Sequence, residues 1–365
     1  MSLERIPDSL AEHLDAALAP CRIDGLLSRE WVAHINAHVA GRLPASMTTL
    51  YGFECRLWDP SPAADLLVCT GPEPEQWPEL LTLASRVDSD PWRRVRALLD
   101  PGRNGRPVHD EIATMWVEFD LVRDTTAEAW RAPSVFIGSV HPPGDWLART
   151  LDVLTSGRAA PAHAAVLACH RALPPVARLF QIGVMLSRPS SPVRICARGF
   201  APDHVRPFLQ RAGWPGDLAR VDALVAQLRT LVDDIRIDLD GVDGRLSPAI
   251  GLECYLERNR QTLPRLARLL EWLQEAQLCL PQKTQPLLQW NGLTHERHAP
   301  ALWPPTLLAA RPVLTPPVAS VFFRWLHHIK LQLPETGDLR AKAYLAVVPG
   351  FATNEQVRRA AAHPG

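Results

Sequence analysis

The chain carries 39 basic residues, and only three of them are lysines. Two of the three, Lys330 in "RWLHHIKLQL" and Lys342 in "RAKAYLAV", fall in the last two strand-like segments. Lysine is a compact ammonium on a flexible stem, suited to gripping a phosphate; arginine is a planar fork. By alternation Arg324, His328, Lys330 and Gln332 share one face, and Arg340, Lys342 and Tyr344 share another. Both faces are polar, which points to an anion site. In "MWVEFDL", Trp116, Glu118 and Asp120 alternate with Met115, Val117, Phe119 and Leu121. Further charges line up in "VRICARGF" (Arg194, Cys196, Arg198), in "IRIDLDG" (Arg236, Asp238, Asp240) and in "GLECYLE" (Glu253, Tyr255, Glu257).

Each set also has a plainer reading. Lys330 and Lys342 are then solvated charges on an edge hairpin. Arg194 and Arg198 then pair structurally with Glu253 or Asp238, and Glu118 is one member of an interior ion pair. Other clusters carry less. The five acids of "DDIRIDLDGVDG" do not fit calcium-loop spacing, and Asp240-Gly241 reads as a turn. "HERH" sits beside prolines and reads as a loop. His327 and His328 point to opposite faces of a strand, so at most one reaches the polar side. Seven cysteines (Cys21, Cys55, Cys69, Cys169, Cys196, Cys254, Cys279) stand singly with no CxxC pair. That spacing argues against a zinc site and a disulfide framework, so neither a metal nor a cofactor is expected. There is no Gly-x-Ser-x-Gly, P-loop or dinucleotide fingerprint.

What positions these residues is a repeated layout. Apolar residues make up 47% and charged residues 21%, with zero net charge, so neither nucleic acid nor an anionic membrane is expected as a partner. No apolar run reaches the ~18 residues of a membrane span. The acidic amphipathic start lacks a signal-peptide layout, which makes cytoplasm the expected compartment. Five strand pairs recur: "TTLYGFECRLW" with "ADLLVCT", "ATMWVEFDLV" with "PSVFIGSV", "RLFQIGVMLSR" with "PVRICARGF", "IRIDLDG" with "PAIGLECYLER", and "SVFFRWLHHIKLQL" with "RAKAYLAVV". Amphipathic helices separate them. Short turns within pairs imply antiparallel strands. The apolar strand faces need the helices, so the charged faces point away from them. An α+β fold follows: a ten-stranded antiparallel barrel wrapped by helices, or an open antiparallel sheet with helices on one face. Closure removes two unpaired edges and is the favoured form. A single domain over 1–365 is expected, with an N-terminal helical segment 1–45, a barrel over 46–350 and a tail over 351–365.

Five helix–strand–strand–helix units around a polar lumen resemble the ABBA prenyltransferase barrel. That family includes fungal indole, bacterial phenol and cyanobactin peptide prenyltransferases. "MWVEFDL" is similar to the segment in which a Glu binds the indole N–H; that implies Glu118 as the catalytic residue, which would orient the acceptor and help to remove its proton. "HIKLQL" and "AKAYL" look like the Lys-x-Tyr strands that bind diphosphate, here Lys330, Lys342 and Tyr344. Gln332 stands where that pattern has a second Tyr, and the whole chain has three tyrosines, Tyr51, Tyr255 and Tyr344. Trp116 offers another aromatic face, whereas Trp325 falls on the apolar side by alternation. The resemblance implies an enzyme of secondary metabolism. It would move an allylic group from a prenyl diphosphate to an aromatic small molecule or a peptide side chain. Lys330, Lys342, Arg194 and Arg198 would hold the leaving diphosphate without metal, which fits a sequence with no DDxxD motif. Arg324, His328 and Tyr255 belong to the implied binding set, as do Trp116 and Tyr344. A non-catalytic binding protein on the same barrel is the alternative.

Overall fold

Pairs of helices and pairs of antiparallel strands alternate along the whole chain. The computed structural model describes residues 8–100, 111–123, 128–139, 141–142, 144–157, 159–188, 191–259, 261–310 and 318–357. Helices α1 (Leu10–Leu18) and α2 (Arg29–His38) precede strands β1 (Leu50–Arg56) and β2 (Ala64–Thr70). Then come α3 (Gln76–Arg86) and α4 (Asp90–Leu99), followed by β3 (Thr114–Phe119) and β4 (Ser134–Gly138). Helices α5 (Asp145–Leu154) and α6 (Ala159–Ala172) lead to β5 (Arg178–Val184) and β6 (Val193–Arg198). Helices α7 (Pro202–Arg211) and α8 (Leu218–Leu228) lead to β7 (Asp234–Val242) and β8 (Arg245–Tyr255). Helices α9 (Thr262–Glu275) and α10 (Pro281–Trp290) are followed by a short β9 (Gly292–His295) and α11 (Pro305–Ala310). The long strands β10 (Val318–Leu333) and β11 (Arg340–Thr353) end the described fold.

The sheet closes. β1 to β8 pair in sequence order, β8 pairs with β10, β10 with β11, and β11 returns to β1. Every pairing is antiparallel, so the barrel has ten strands and no free seam. β9 is an eleventh strand that pairs only with the first half of β10, outside the ring. Sequence alternation misses it because four residues carry too little period.

The core lies between the helices and the outer barrel face. Met115, Val117 and Phe119 are fully buried on that face of β3. In α9, Leu266, Leu269, Leu270 and Leu273 repeat at helical spacing and bury the same way. Ser9 starts α1 with a reciprocal capping box to Glu12, which satisfies two orphan N–H groups. Trp290 anchors α10; its Nε1 donates to the Trp325 carbonyl at 3.0 Å, and its ring meets Phe53 edge-on.

Three expectations about local structure change. The Asp240-Gly241 pair lies inside β7, and the turn falls at Asp243-Gly244, where both residues take positive φ (48° and 80°). That is the two-residue hairpin geometry that a short polar residue and glycine tolerate. The tail expected from 351 begins later, because β11 runs on to Thr353; residues 358–365 lie outside the described residues. The "HERH" segment opens on His295, the last residue of β9, before it turns.

The seam between β1 and β11 depends on a bare backbone at Gly52. A Cβ there would stand 1.7 Å from the Leu345 carbonyl oxygen. Gly52→Ala is expected to cost about 3 kcal/mol, because the clash is with main chain that cannot swing away. The guanidinium midpoint of the variant measures it.

Candidate active site

Alternation puts the charged strand faces inside the barrel, where they surround a cavity of about 230 Å³. β3 contributes Trp116 and Glu118, and β4 contributes Phe136. Phe180 of β5, Arg194 of β6 and Arg236 and Asp238 of β7 continue the wall. β8 adds Glu253 and Tyr255, β10 adds His327, His328 and Lys330, and β11 adds Tyr344.

The two lysines face each other across the β10–β11 pair. Like charges directly opposite repel, so each needs its own acid. Lys330 donates to Asp238 on β7 and lies 4.0 Å from Glu253. Lys342 turns the other way and donates to Glu54 on β1 at 2.5 Å. The Tyr344 hydroxyl donates to the same carboxylate. Burial alone would raise the Glu54 carboxyl, but Lys342 and Tyr344 overcome it and hold it down at about 2. Arg194 grips Asp240 with two hydrogen bonds of 2.8 and 3.0 Å. Burial raises the Asp238 carboxyl and Glu253 adds to that, while Lys330 pulls it back.

Glu118 differs from these acids. It faces the cavity and makes no hydrogen bond or ion pair with the described residues. Burial, reinforced by the charge of Glu54, pushes its pKa up to about 8. At neutral pH it is therefore largely a neutral acid, able to donate one hydrogen bond and accept another. Asp65 of β2, opposite Glu54 of β1, is raised to about 7, first by burial and then by Glu54.

Aromatic faces line the rest. His328 is stacked between Tyr344 (centroids 4.1 Å apart, 14° between planes) and Tyr255 (4.9 Å, 24°). Burial drives its pKa well below the usual value, with His327 and Lys330 adding, so the imidazole is neutral. The Arg236 guanidinium covers the outer side of Tyr255 at 3.6 Å and approaches Phe180 at 5.1 Å. The lumen thus joins an aromatic wall to a cluster of cations that are already neutralised by carboxylates.

No known sequence family matches the chain, and no curated protein matches it either. In layout it is similar to known prenyltransferases. AnaPT from Neosartorya fischeri matches at 12% identity and a TM-score of 0.49, over 93% of this chain and 91% of that one. The prenyltransferase PriB in its apo form matches at 14% and 0.47, over 93% and 96%. NotF in complex with brevianamide F and DMSPP matches at 10% and 0.48, over 98% and 97%.

The structure brings Trp116, Glu118, Arg194, Tyr255, His328, Lys330 and Tyr344 to one cavity wall, as the alternation placed them. Lys330 is not a solvated edge charge: it is 5% exposed in a closed sheet. Lys342 stands beside the cavity rather than on its wall, drawn aside by Glu54. Arg198 lies over the Phe180 ring at 5.6 Å and is not part of the cavity lining. Arg194 pairs with Asp240 instead of Glu253 or Asp238.

Arg324 corrects an expectation outright. The β10–β11 register slips between Leu326 and His328, so residues before the bulge are offset from those after it. Arg324 therefore points outward, donates to the Trp290 carbonyl at 2.9 Å and sits over the Trp290 ring. The same slip puts Trp325 opposite Ala346 on the lumen side, and it lets both His327 and His328 reach the cavity. Sequence reasoning also missed Phe136, because every residue of β4 is buried and no polar face shows. Phe180 escaped through a second bulge, between Leu179 and Gln181. Glu54 had a signal, a lone acid between Phe53 and Cys55. Tyr51 points away from the lumen, toward His13 of α1.

No described helix is long and apolar enough to cross a membrane. Among the described residues no cluster of His, Cys, Asp or Glu is arranged to hold a metal ion.

Proposed function

We propose that this protein is a cytoplasmic prenyltransferase that moves an allylic group from a prenyl diphosphate to an aromatic small molecule or a peptide side chain. The observation that carries this reading is the meeting, in one closed lumen, of an aromatic wall with Lys330 and Arg194 at its edge. The C–O bond of the donor breaks and diphosphate leaves with the electron pair. Lys330 and Arg194 stabilise that charge in a site sheltered from bulk water, and Arg236 and Lys342 add to the local potential. The face of Trp116 and the side of Tyr344 away from His328 shield the allylic cation, while Tyr255, covered by His328 and Arg236, holds that wall in place. The acceptor's π electrons form the new bond. Glu118 orients the acceptor, and above about pH 8 its ionised form can take the displaced proton.

Full pairing of the lumen cations has a consequence. A diphosphate entering beside Glu54, Asp238 and Asp240 is best tolerated while Asp65 and Glu118 are protonated. Their raised values, about 7 and about 8, place that condition at neutral pH and below. Donor affinity is therefore expected to fall as pH rises through that range. With dimethylallyl or geranyl diphosphate at 100 times its Kd, the melt should gain about 2.7 kcal/mol. The same donor concentration should give a smaller shift at pH 9 than at pH 6. No shift with any prenyl diphosphate at either pH would sink the reading. The same pairing favours a second reading, a non-catalytic binding barrel, in which donor or acceptor binds and no product forms.

A further inference from the structure

β10 carries a bulge that places two consecutive imidazoles on the cavity side of the barrel. The Nδ1 atoms of His327 and His328 lie 2.8 Å apart, so one donates to the other. Which one donates is set by what lies beyond. His328 Nε2 lies 3.6 Å from the Glu253 carboxylate, just outside hydrogen-bond reach, and makes no hydrogen bond. A carboxylate favours a proton on the facing nitrogen. His328 then carries Nε2–H, its Nδ1 is a bare acceptor, and the shared proton belongs to His327 Nδ1. That leaves His327 Nε2 with a free lone pair. His327 lines the cavity, and its Nε2 has no partner among the described residues. Trp116 and Tyr255 flank its ring at 6.3 and 5.5 Å.

Resting on the prenyl-transfer reading above, we propose that His327 Nε2 is the base that takes the proton from the alkylated acceptor. The new C–C bond leaves a cationic ring. Its C–H bond breaks, that electron pair restores the aromatic ring, and the proton joins the Nε2 lone pair. His327 Nδ1–H then passes to His328 Nδ1, and His328 Nε2–H passes to Glu253 as the two draw into hydrogen-bond reach. The proton ends on a carboxylate 4.0 Å from Lys330, and both imidazoles are neutral again. A weak base suffices, because a protonated arene is a strong acid. Burial, with Arg236 and then Arg258, lowers His327 to about 4, so it is unprotonated over the whole working range. Glu118 faces Glu54, Asp120, Arg194 and Lys330 and is largely protonated at neutral pH, so it does not compete there.

The test is His327→Gln, read by turnover against pH and by donor-induced melting shift. Loss of a positioned base costs about 10²-fold or more in kcat. That loss is expected at pH 6 to 7 with the melting shift unchanged. Residual turnover should climb with pH and level off above about 8, as Glu118 ionises. Nitrogen-15 spectra of the wild-type histidines should show His327 protonated at Nδ1 and bare at Nε2. An Nε2–H tautomer, a variant as fast as wild type, or a loss confined to donor binding each overturns the proposal and leaves prenyl transfer standing. A wild type that turns over no prenyl donor with any aromatic acceptor overturns the functional reading, and the base role falls with it.

Discussion

Lys330→Ala should be the most damaging single change in the lumen, and its damage should grow with pH. Lys330 is the cation in contact with Asp238, whose other oxygen, Oδ1, already lacks a hydrogen-bond partner. Removing one member of a buried pair leaves an uncompensated charge, at a cost of about 3–5 kcal/mol. Asp238 can escape part of that cost by staying protonated. Its folded value then lies above its unfolded value, so between the two the native state holds more protons than the unfolded state. Stability of the variant must fall as pH rises through that window. Wild type and Lys330→Ala are expected to unfold at similar denaturant concentrations near pH 4 and to diverge by the full amount at pH 8. The double variant Lys330→Ala/Asp238→Ala removes both charges and should recover much of the stability while still failing to bind prenyl diphosphate. If the double variant binds donor as wild type does, Lys330 serves the fold alone. Equal stability of Lys330→Ala and wild type at pH 8 would remove the buried pair from the account.

The repeat was legible because its signal is long. Strands such as β3 keep strict alternation, and helices such as α9 keep helical spacing, so the faces of both could be assigned from the sequence. Closure followed from a general dislike of free edges, and no single residue announced it. The candidate site was legible where a strand holds its register from end to end, as at Trp116 and Glu118 of β3. It failed where a bulge inserts one residue. The slips before Gln181 and His328 hid Phe180 and His327, misplaced Arg324 and turned Trp325 to the other face. A bulge costs little and needs no signature residue, so periodicity cannot foresee it. Charge pairing was also hidden, because partners such as Glu54 and Lys342 are far apart in sequence and meet only when the barrel closes.

Glu118→Gln is expected to make the protein more stable and less active at once. The carboxyl is raised from its usual 4.5 to about 8, first by burial. Between those values the native state holds a proton that the unfolded state releases, so wild-type stability declines as pH rises from about 4.5 to about 8. Gln has no such proton. Each tenfold gain in proton affinity on folding is worth about 1.4 kcal/mol, but Glu118 is only partly buried, and screening at its exposed side leaves about 2 kcal/mol. The unfolding midpoints of wild type and Glu118→Gln should coincide near pH 4, separate through neutrality and stay apart above pH 8. Turnover should move the opposite way. Gln keeps one acceptor and adds a second donor, so it can still bind an acceptor but orients it differently. A loss of about 10²-fold in kcat is the scale for a group that positions or deprotonates the reacting centre. Stability and activity would then be traded at a single carboxyl, as expected where a fold keeps an unpaired acid inside its cavity for use. A variant that loses activity and gains no stability above pH 7 would mean that Glu118 is already ionised and paired in the resting lumen.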